Sequence, residues 1–299
     1  MRFIYCTGYR VACGRVWGND PREKFPAMKA LRFAIGAGRS ISLHQFWFDT
    51  PVRQPRGSRR MADATGLKVW PTALPLLMHL QGRLAAPLAD TRPIRILELG
   101  SGCGLLGIGL AATCNAEVVL TDPALPVAFA DDEPLGNTLE WLAMNVELNR
   151  DAVGSRASVE KLAWGDSDDM EALRRNHPAG FDLVVGSDLL YNPDSYGALI
   201  ETAQMFARRE VIFGFPTRFG SEQQRFFEAV ASAGQLEVAE TLSLPPVSER
   251  DETSAMARPI SAAHLRPRAV SGTDLRGDVR GEKGDLKTVA LPAWGPYPD

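Results

Sequence analysis

The stretch Ile94-Arg95-Ile96-Leu97-Glu98-Leu99-Gly100-Ser101-Gly102-Cys103-Gly104 limits what this chain can fold into more than any other. A short apolar run ends in an acid, glycines follow at alternate positions, and Leu105 to Ala112 then reads as the start of an apolar helix. Strand, tight glycine turn and helix form the opening unit of a doubly wound nucleotide-binding sheet. The bend needs backbone angles that side chains resist, and a missing Cβ lets a ligand come close to the main chain. The helix start then offers free N–H groups across the turn.

Spacing and charge separate two kinds of ligand. Gly102, Gly104 and Gly107 nearly satisfy a dinucleotide fingerprint, in which a pyrophosphate sits on the helix end. Glu98, two residues before Gly100, argues against it, because a carboxylate aimed into the turn repels pyrophosphate and suits a cation. The pattern Glu-x-Gly-x-Gly-x-Gly resembles motif I of the class I S-adenosylmethionine-dependent methyltransferases.

The flanking chain continues an α/β rhythm. Before the turn, Gly66-Leu67-Lys68-Val69-Trp70-Pro71 leads into an apolar helix over Thr72 to Leu80. After it, Glu117 to Asp122 reads as a second strand, with Asp122 about twenty residues past the glycines, where this fold places an acid for ribose hydroxyls. Asn137 to Asn149 has helical period, capped by Asn137 or Thr138, with Leu139, Leu142, Met144 and Val146 facing inward. A third strand covers Ser158 to Trp164, which puts an indole on the ligand edge. The fourth, Phe181 to Asp188, runs into Leu189-Leu190-Tyr191, making Asp188 and Tyr191 the candidates for chemistry. Helix (Ser195–Ala207), strand (Glu210–Phe215), helix (Ser221–Ala233) and strand (Gln235–Leu242) follow.

Both ends are less regular. Residues 1–65 read as an N-terminal segment, partly irregular or a β-hairpin, with a basic run at Arg53, Arg56, Arg59 and Arg60. The methyltransferase-like core covers 66–244, and 245–284, rich in proline, glycine and charge, reads as a low-order insertion. Residues 285–299 hold a possible last strand, Asp285 to Leu291, and a frayed tail. Asp131-Asp132-Glu133, near the ligand edge, is a solvated triplet that can also attract a cation.

Composition excludes several classes. A formal charge of -3 and a pI near 5.9 leave no electrostatic footprint for nucleic acid. Cys6, Cys13, Cys103 and Cys114 lack a paired framework or metal-ligand spacing, and His44, His79, His177 and His264 are scattered, so no metal is expected. No apolar run reaches membrane-spanning length and the N-terminus has no secretion-signal core. The expectation is a cytoplasmic monomer, with the nucleus also open to it.

Together, Gly66-x-x-x-Trp70-Pro71, Glu98 to Gly104, Thr121-Asp122, Leu162-Ala163-Trp164-Gly165 and Ser187-Asp188-Leu-Leu-Tyr191 resemble the seven-β-strand protein-lysine methyltransferases. This branch carries an Asp-x-x-Tyr motif after strand four and modifies chaperones and translation factors. The resemblance implies a Rossmann-like, three-layer α/β/α fold with sheet order 3-2-1-4-5-7-6, the last strand antiparallel. It implies S-adenosyl-L-methionine as cofactor, with Glu98, Gly100, Ser101, Gly102 and Gly104 around its methionine part. It further places Asp122 on the ribose, Trp164 beside adenine, Trp70 over the cofactor and Ser187 lending backbone. Asp188 and Tyr191 then border the channel for a lysine presented by a protein substrate. The segment between Asp122 and Asn137 looks longer than usual for the branch, and the chain before Gly66 and after Leu242 matches it poorly.

Three rivals stand beside this reading. Methylation of an amide or an adenine amino group uses Asn/Asp-Pro-Pro-Tyr, and Leu189 and Leu190 replace both prolines here. A small-amine, nicotinamide-like N-methyltransferase stays open. So does a non-catalytic cofactor-binding module, against which intact Glu98, Asp122 and Asp188 argue.

Overall fold

Strand Ile94–Glu98 lies mid-sheet because its residues have apolar partners on both faces. A computed structural model describes residues 2–6, 9–15, 28–36, 38–46, 64–85, 92–127, 136–216, 220–245 and 259–268. In chain order the strands are β1 (Arg2–Cys6), β2 (Tyr9–Arg15), β3 (Met28–Ala34), β4 (Ser40–Phe46), β5 (Ile94–Glu98), β6 (Ala116–Asp122), β7 (Pro126–Val127), β8 (Gly136–Asn137), β9 (Ala157–Lys161), β10 (Phe181–Ser187), β11 (Ala207–Pro216), β12 (Leu236–Leu244) and β13 (Ile260–Pro267). The helices are α1 (Ala73–Leu84), α2 (Leu105–Thr113), α3 (Thr138–Leu148), α4 (Arg150–Val153), α5 (Ser167–Asn176), α6 (Tyr196–Phe206) and α7 (Gly220–Ala233).

The main sheet runs β12-β13-β11-β10-β5-β6-β9. Numbered from β5 as first core strand, this is the expected 3-2-1-4-5-7-6 order, and β13 is antiparallel to both β11 and β12. Strand alternation builds two cores, one per face. Ile96, Val118 and Val185 join α1, α2 and α3, whereas Leu97, Val119 and Val184 join α5, α6 and α7. Each fully buried Leu or Ile contributes about 2 kcal/mol. Helix α2 is apolar all round because every residue from Leu105 to Ala112 is buried. No helix among the described residues is long and apolar enough to cross a membrane.

Four sequence expectations need correcting. The seventh strand of the sheet is β13, inside the stretch 245–284 read as a low-order insertion, and the possible strand Asp285–Leu291 lies outside the described residues. Small side chains and a buried His264 disguised it: Ala262, Ala263, His264 and Leu265 are all buried, so no alternation shows. The third strand ends at Lys161, leaving Trp164 in a turn closed by Asp166 N–H donating to Ala163 O at 3.1 Å.

Helix α3 buries Thr138, Trp141, Leu142, Asn145 and Val146, with Leu139 and Met144 half-buried. Asn145 within it and Asn149 at its C-cap serve β4. The Asn149 side chain accepts from Ser42 N and donates to Ser42 O, and Asn145 does the same with His44. Asn137 caps the helix, accepting from Glu140 N–H at 2.9 Å. Helix α5, absent from the sequence expectation, buries only Met170 and Leu173 and starts from a carboxylate cap on Asp166.

The N-terminal strands form an antiparallel sheet in the order β1-β2-β3-β4. The arginine run Arg53–Arg60 and the triplet Asp131-Asp132-Glu133 lie outside the described residues.

Candidate active site at the carboxyl edge of the sheet

Strand order reverses between β5 and β10, so the carboxyl ends of these strands leave a crevice. A cavity of about 950 Å³ opens there. Trp70, Glu98, Gly100, Ser101, Gly102, Gly104, Asp122, Trp164, Ser187, Asp188 and Tyr191 all line it, so the structure brings every sequence-predicted site residue to one place.

The glycine turn is stitched to β6. Ser101 N–H donates to Thr121 O at 2.8 Å, Thr121 N–H returns to Ser101 Oγ at 3.1 Å, and the Thr121 hydroxyl donates to Glu98 O at 2.7 Å. Gly100 and Gly102 take φ of 59° and 52°, in the left-handed region that a Cβ disfavours. Asp122 accepts from Gly102 N–H at 3.2 Å and from the Thr138 hydroxyl, which fixes it between the turn and α3.

Glu98 is 2% exposed, and its carboxylate accepts from Gly107 N–H in the first turn of α2 at 3.0 Å. Burial pushes its pKa up to about 8, against hydrogen bonds from Ser101 and Gly107 and with help from the charge of Asp122. No cation of the described residues figures among those influences.

Asp188 departs from ordinary backbone, with φ of 60°. Its N–H donates to Gly214 O at 2.9 Å, and its carboxylate accepts from Thr72 N–H at 3.1 Å and the Thr72 hydroxyl at 2.8 Å. The acid proposed to face the substrate therefore also anchors the start of α1. Tyr191, 49% exposed, stands at the mouth. The Tyr196 hydroxyl donates to Leu190 O at 3.1 Å and steadies the turn between Asp188 and Tyr191.

The two indoles differ. Trp70 Nε1 donates to Thr65 O at 2.9 Å, locking the ring to the 3₁₀ turn Ala64–Leu67. Trp164 Nε1 is buried with no hydrogen-bond partner among the described residues. Sequence reasoning missed Thr72 and Thr138, the residues that hold the two aspartates. Their signal was only a threonine beside each predicted helix start, a residue type that favours such places.

A family model described as lysine methyltransferase matches residues 58–233, more than half of the 299. The chain belongs to the lysine methyltransferase family. Among curated members, the protein N-lysine methyltransferase METTL21A of Danio rerio is 31% identical over 162 residues, 53% of this chain and 63% of the relative. The EEF1A lysine methyltransferase 3 of Mus musculus is 33% identical over 184 residues, 62% of this chain and 67% of the relative. The chain spans between about half and two thirds of the length of these curated relatives, 63% and 67% for the two above and 52% for METTL21A of Mus musculus. A solved chain from Streptococcus mutans, described as a putative SAM-dependent methyltransferase, shares the fold with a TM-score of 0.50 at 10% identity, over 84% of this chain and 57% of that one.

The family's cofactor suits the residues present. An unpartnered buried indole N–H, a buried acid awaiting a cation and an aspartate held beside the glycine turn fit an adenosyl sulfonium amino acid.

Proposed function

We propose that the chain transfers methyl groups from S-adenosyl-L-methionine to a lysine side chain of a protein substrate such as a translation factor or chaperone, as a cytoplasmic monomer that can also enter the nucleus. The observation that carries this is the Asp188-x-x-Tyr191 turn opening into the same cavity as Glu98, Asp122 and Trp164. The cofactor supplies a methyl group already activated on a sulfonium, so what remains for the chain is alignment and exclusion of water.

Glu98 and the glycine turn hold the methionine part, Asp122 takes the ribose hydroxyls, and Trp164 donates its free N–H or stacks beside the base. Trp70 and Ser187 close the cofactor side. Asp188, fixed by Thr72, attracts and orients the substrate ammonium, whose proton leaves to solvent through the open mouth at Tyr191. The aromatic wall there tolerates a cation.

The test uses the purified chain with methyl-labelled cofactor and a cell lysate. Label should enter protein lysines, and Asp188→Ala should lower transfer about 10²-fold while the demethylated product still binds. Label in small amines, or none in protein, would refute the reading.

A further inference from the structure

The cavity carries one charge that the proposed function leaves unused. Among the described residues that line it, the acids are Glu98, Asp122 and Asp188, and Lys68 is the one basic side chain. Each acid is already oriented by donors of the chain: Gly107 for Glu98, Gly102 and Thr138 for Asp122, Thr72 for Asp188. Lys68 is held too. Its main-chain N–H donates to Thr65 O at 3.4 Å, and its side-chain ammonium lies 5.0 Å from the centre of the Trp70 ring. That ring is pinned to the same Thr65 carbonyl. The cation therefore sits against an indole that itself lines the cavity.

The proposed cofactor has a matching inventory. Its sulfonium and amino group are positive and suit the acids, and its ribose offers hydroxyls. Its carboxylate is the one anionic group, and in a half-enclosed site it needs charged or strong donors. We propose that Lys68 binds the carboxylate of the cofactor's methionine part, and so selects ligands that carry the whole amino acid. This rests on the reading of the cavity as an S-adenosylmethionine site. The competing partner for that carboxylate is the pair of N–H groups of Leu105 and Leu106 that open α2.

Three ligands separate the possibilities. S-adenosylmethionine has sulfonium and carboxylate, S-adenosylhomocysteine has carboxylate without sulfonium, and methylthioadenosine lacks the amino acid altogether. Calorimetric titration of the full chain should show that Lys68→Met weakens the first two by about tenfold and leaves methylthioadenosine unchanged. Lys68→Arg should restore both to within about threefold, since the guanidinium also pairs with carboxylates. An unchanged melting temperature shows that the variant is folded. If Lys68→Met leaves S-adenosylhomocysteine binding as it was, the helix start holds the carboxylate and the proposal is wrong. If it tightens S-adenosylmethionine alone, Lys68 merely repels the sulfonium, which overturns it equally. A wild-type chain that binds neither cofactor form defeats the cofactor reading itself, and this assignment with it.

Discussion

Two ends of the sheet treat buried carboxylates in opposite ways. At the amino end of β10, Asp182 accepts from both Arg92 nitrogens at 2.8 and 2.9 Å and from Arg95 N–H at 3.0 Å. The Arg92 hydrogen bond holds its carboxyl below the usual range. On β11, burial would raise Glu210, but hydrogen bonding by His264 and the charge of Arg83 outweigh it and keep the acid below its ordinary value. At the carboxyl end of β5, Glu98 has an amide for a partner and rises to about 8. The first two acids have their cations within the chain. Among the described residues none supplies a cation to Glu98, and a buried acid in that condition, facing a cavity, suits the cationic ligand proposed for it.

The sharpest way to break this contrast is to remove an internal cation. Arg83→Met strips Glu210 of a 2.8 Å ion pair in which the two side chains are 16% and 9% exposed. Leaving that charge buried should cost about 3 kcal/mol in denaturant unfolding, with cofactor affinity unaltered. A loss within 0.5 kcal/mol, the ordinary range for a surface change, would mean the pair is not what stabilises that end.

Next in size is Glu98→Gln, which keeps an acceptor for Gly107 N–H and removes the charge. S-adenosylmethionine affinity at pH 8.5 should fall about tenfold, or 1.4 kcal/mol, with little change in stability at pH 6, where the native acid is already protonated. Equal affinity of variant and wild type at pH 8.5 would detach Glu98 from cation binding.

The same difference explains what the sequence let us read. Motif I was legible because Glu98 and its glycines do their work within one turn, and Asp122 because it ends the next strand. Asp188 was found by its place after the fourth strand. Its partner Thr72 was not, since it stands 116 residues earlier and only the packed sheet brings the two together. Polar residues with internal partners misled the reading elsewhere. His264 hid β13 because a histidine looks out of place in a central strand, and its neighbour Glu210 is what makes it acceptable there. Asn145 and Asn149 displaced the buried face of α3, because periodicity counts apolar residues and these amides are buried for the backbone of β4. Hydrophobic pattern reports one kind of burial, and this fold also uses the other.

Glu98 also ties stability to pH. Its native pKa of about 8 lies above its ordinary 4.5, so the folded chain holds a proton that the unfolded chain has lost. That contribution is complete below pH 4.5 and is lost as pH rises to 8. A sulfonium ligand reverses the preference, so the rise in melting temperature given by S-adenosylmethionine should grow from pH 6 to 8.5. Glu98→Gln should flatten it. A wild-type shift that does not grow with pH would count against Glu98 as the group involved.

The smallest effect lies at the internal-cation end and has the opposite sign. His79 Nε2 faces His264 Nε2 at 3.2 Å across the contact of α1 with β13. Burial first, then the neighbouring His264 and Arg83, bring the His79 pKa down to about 4, with Glu210 acting the other way. A native pKa below the ordinary 6.5 means the unfolded chain takes up the proton first. Stability from this group is therefore complete above pH 6.5 and drains away as pH falls to 4. His79 is only half-buried, so solvent screens the effect and it should show as a shallow slope in melting temperature. His79→Gln, which keeps a donor for His264, should remove that slope between pH 6.5 and 4 and leave the alkaline one intact. If His79→Gln changed the alkaline slope instead, the two ends of the sheet would be coupled, and their acids could not be treated as separate answers to burial.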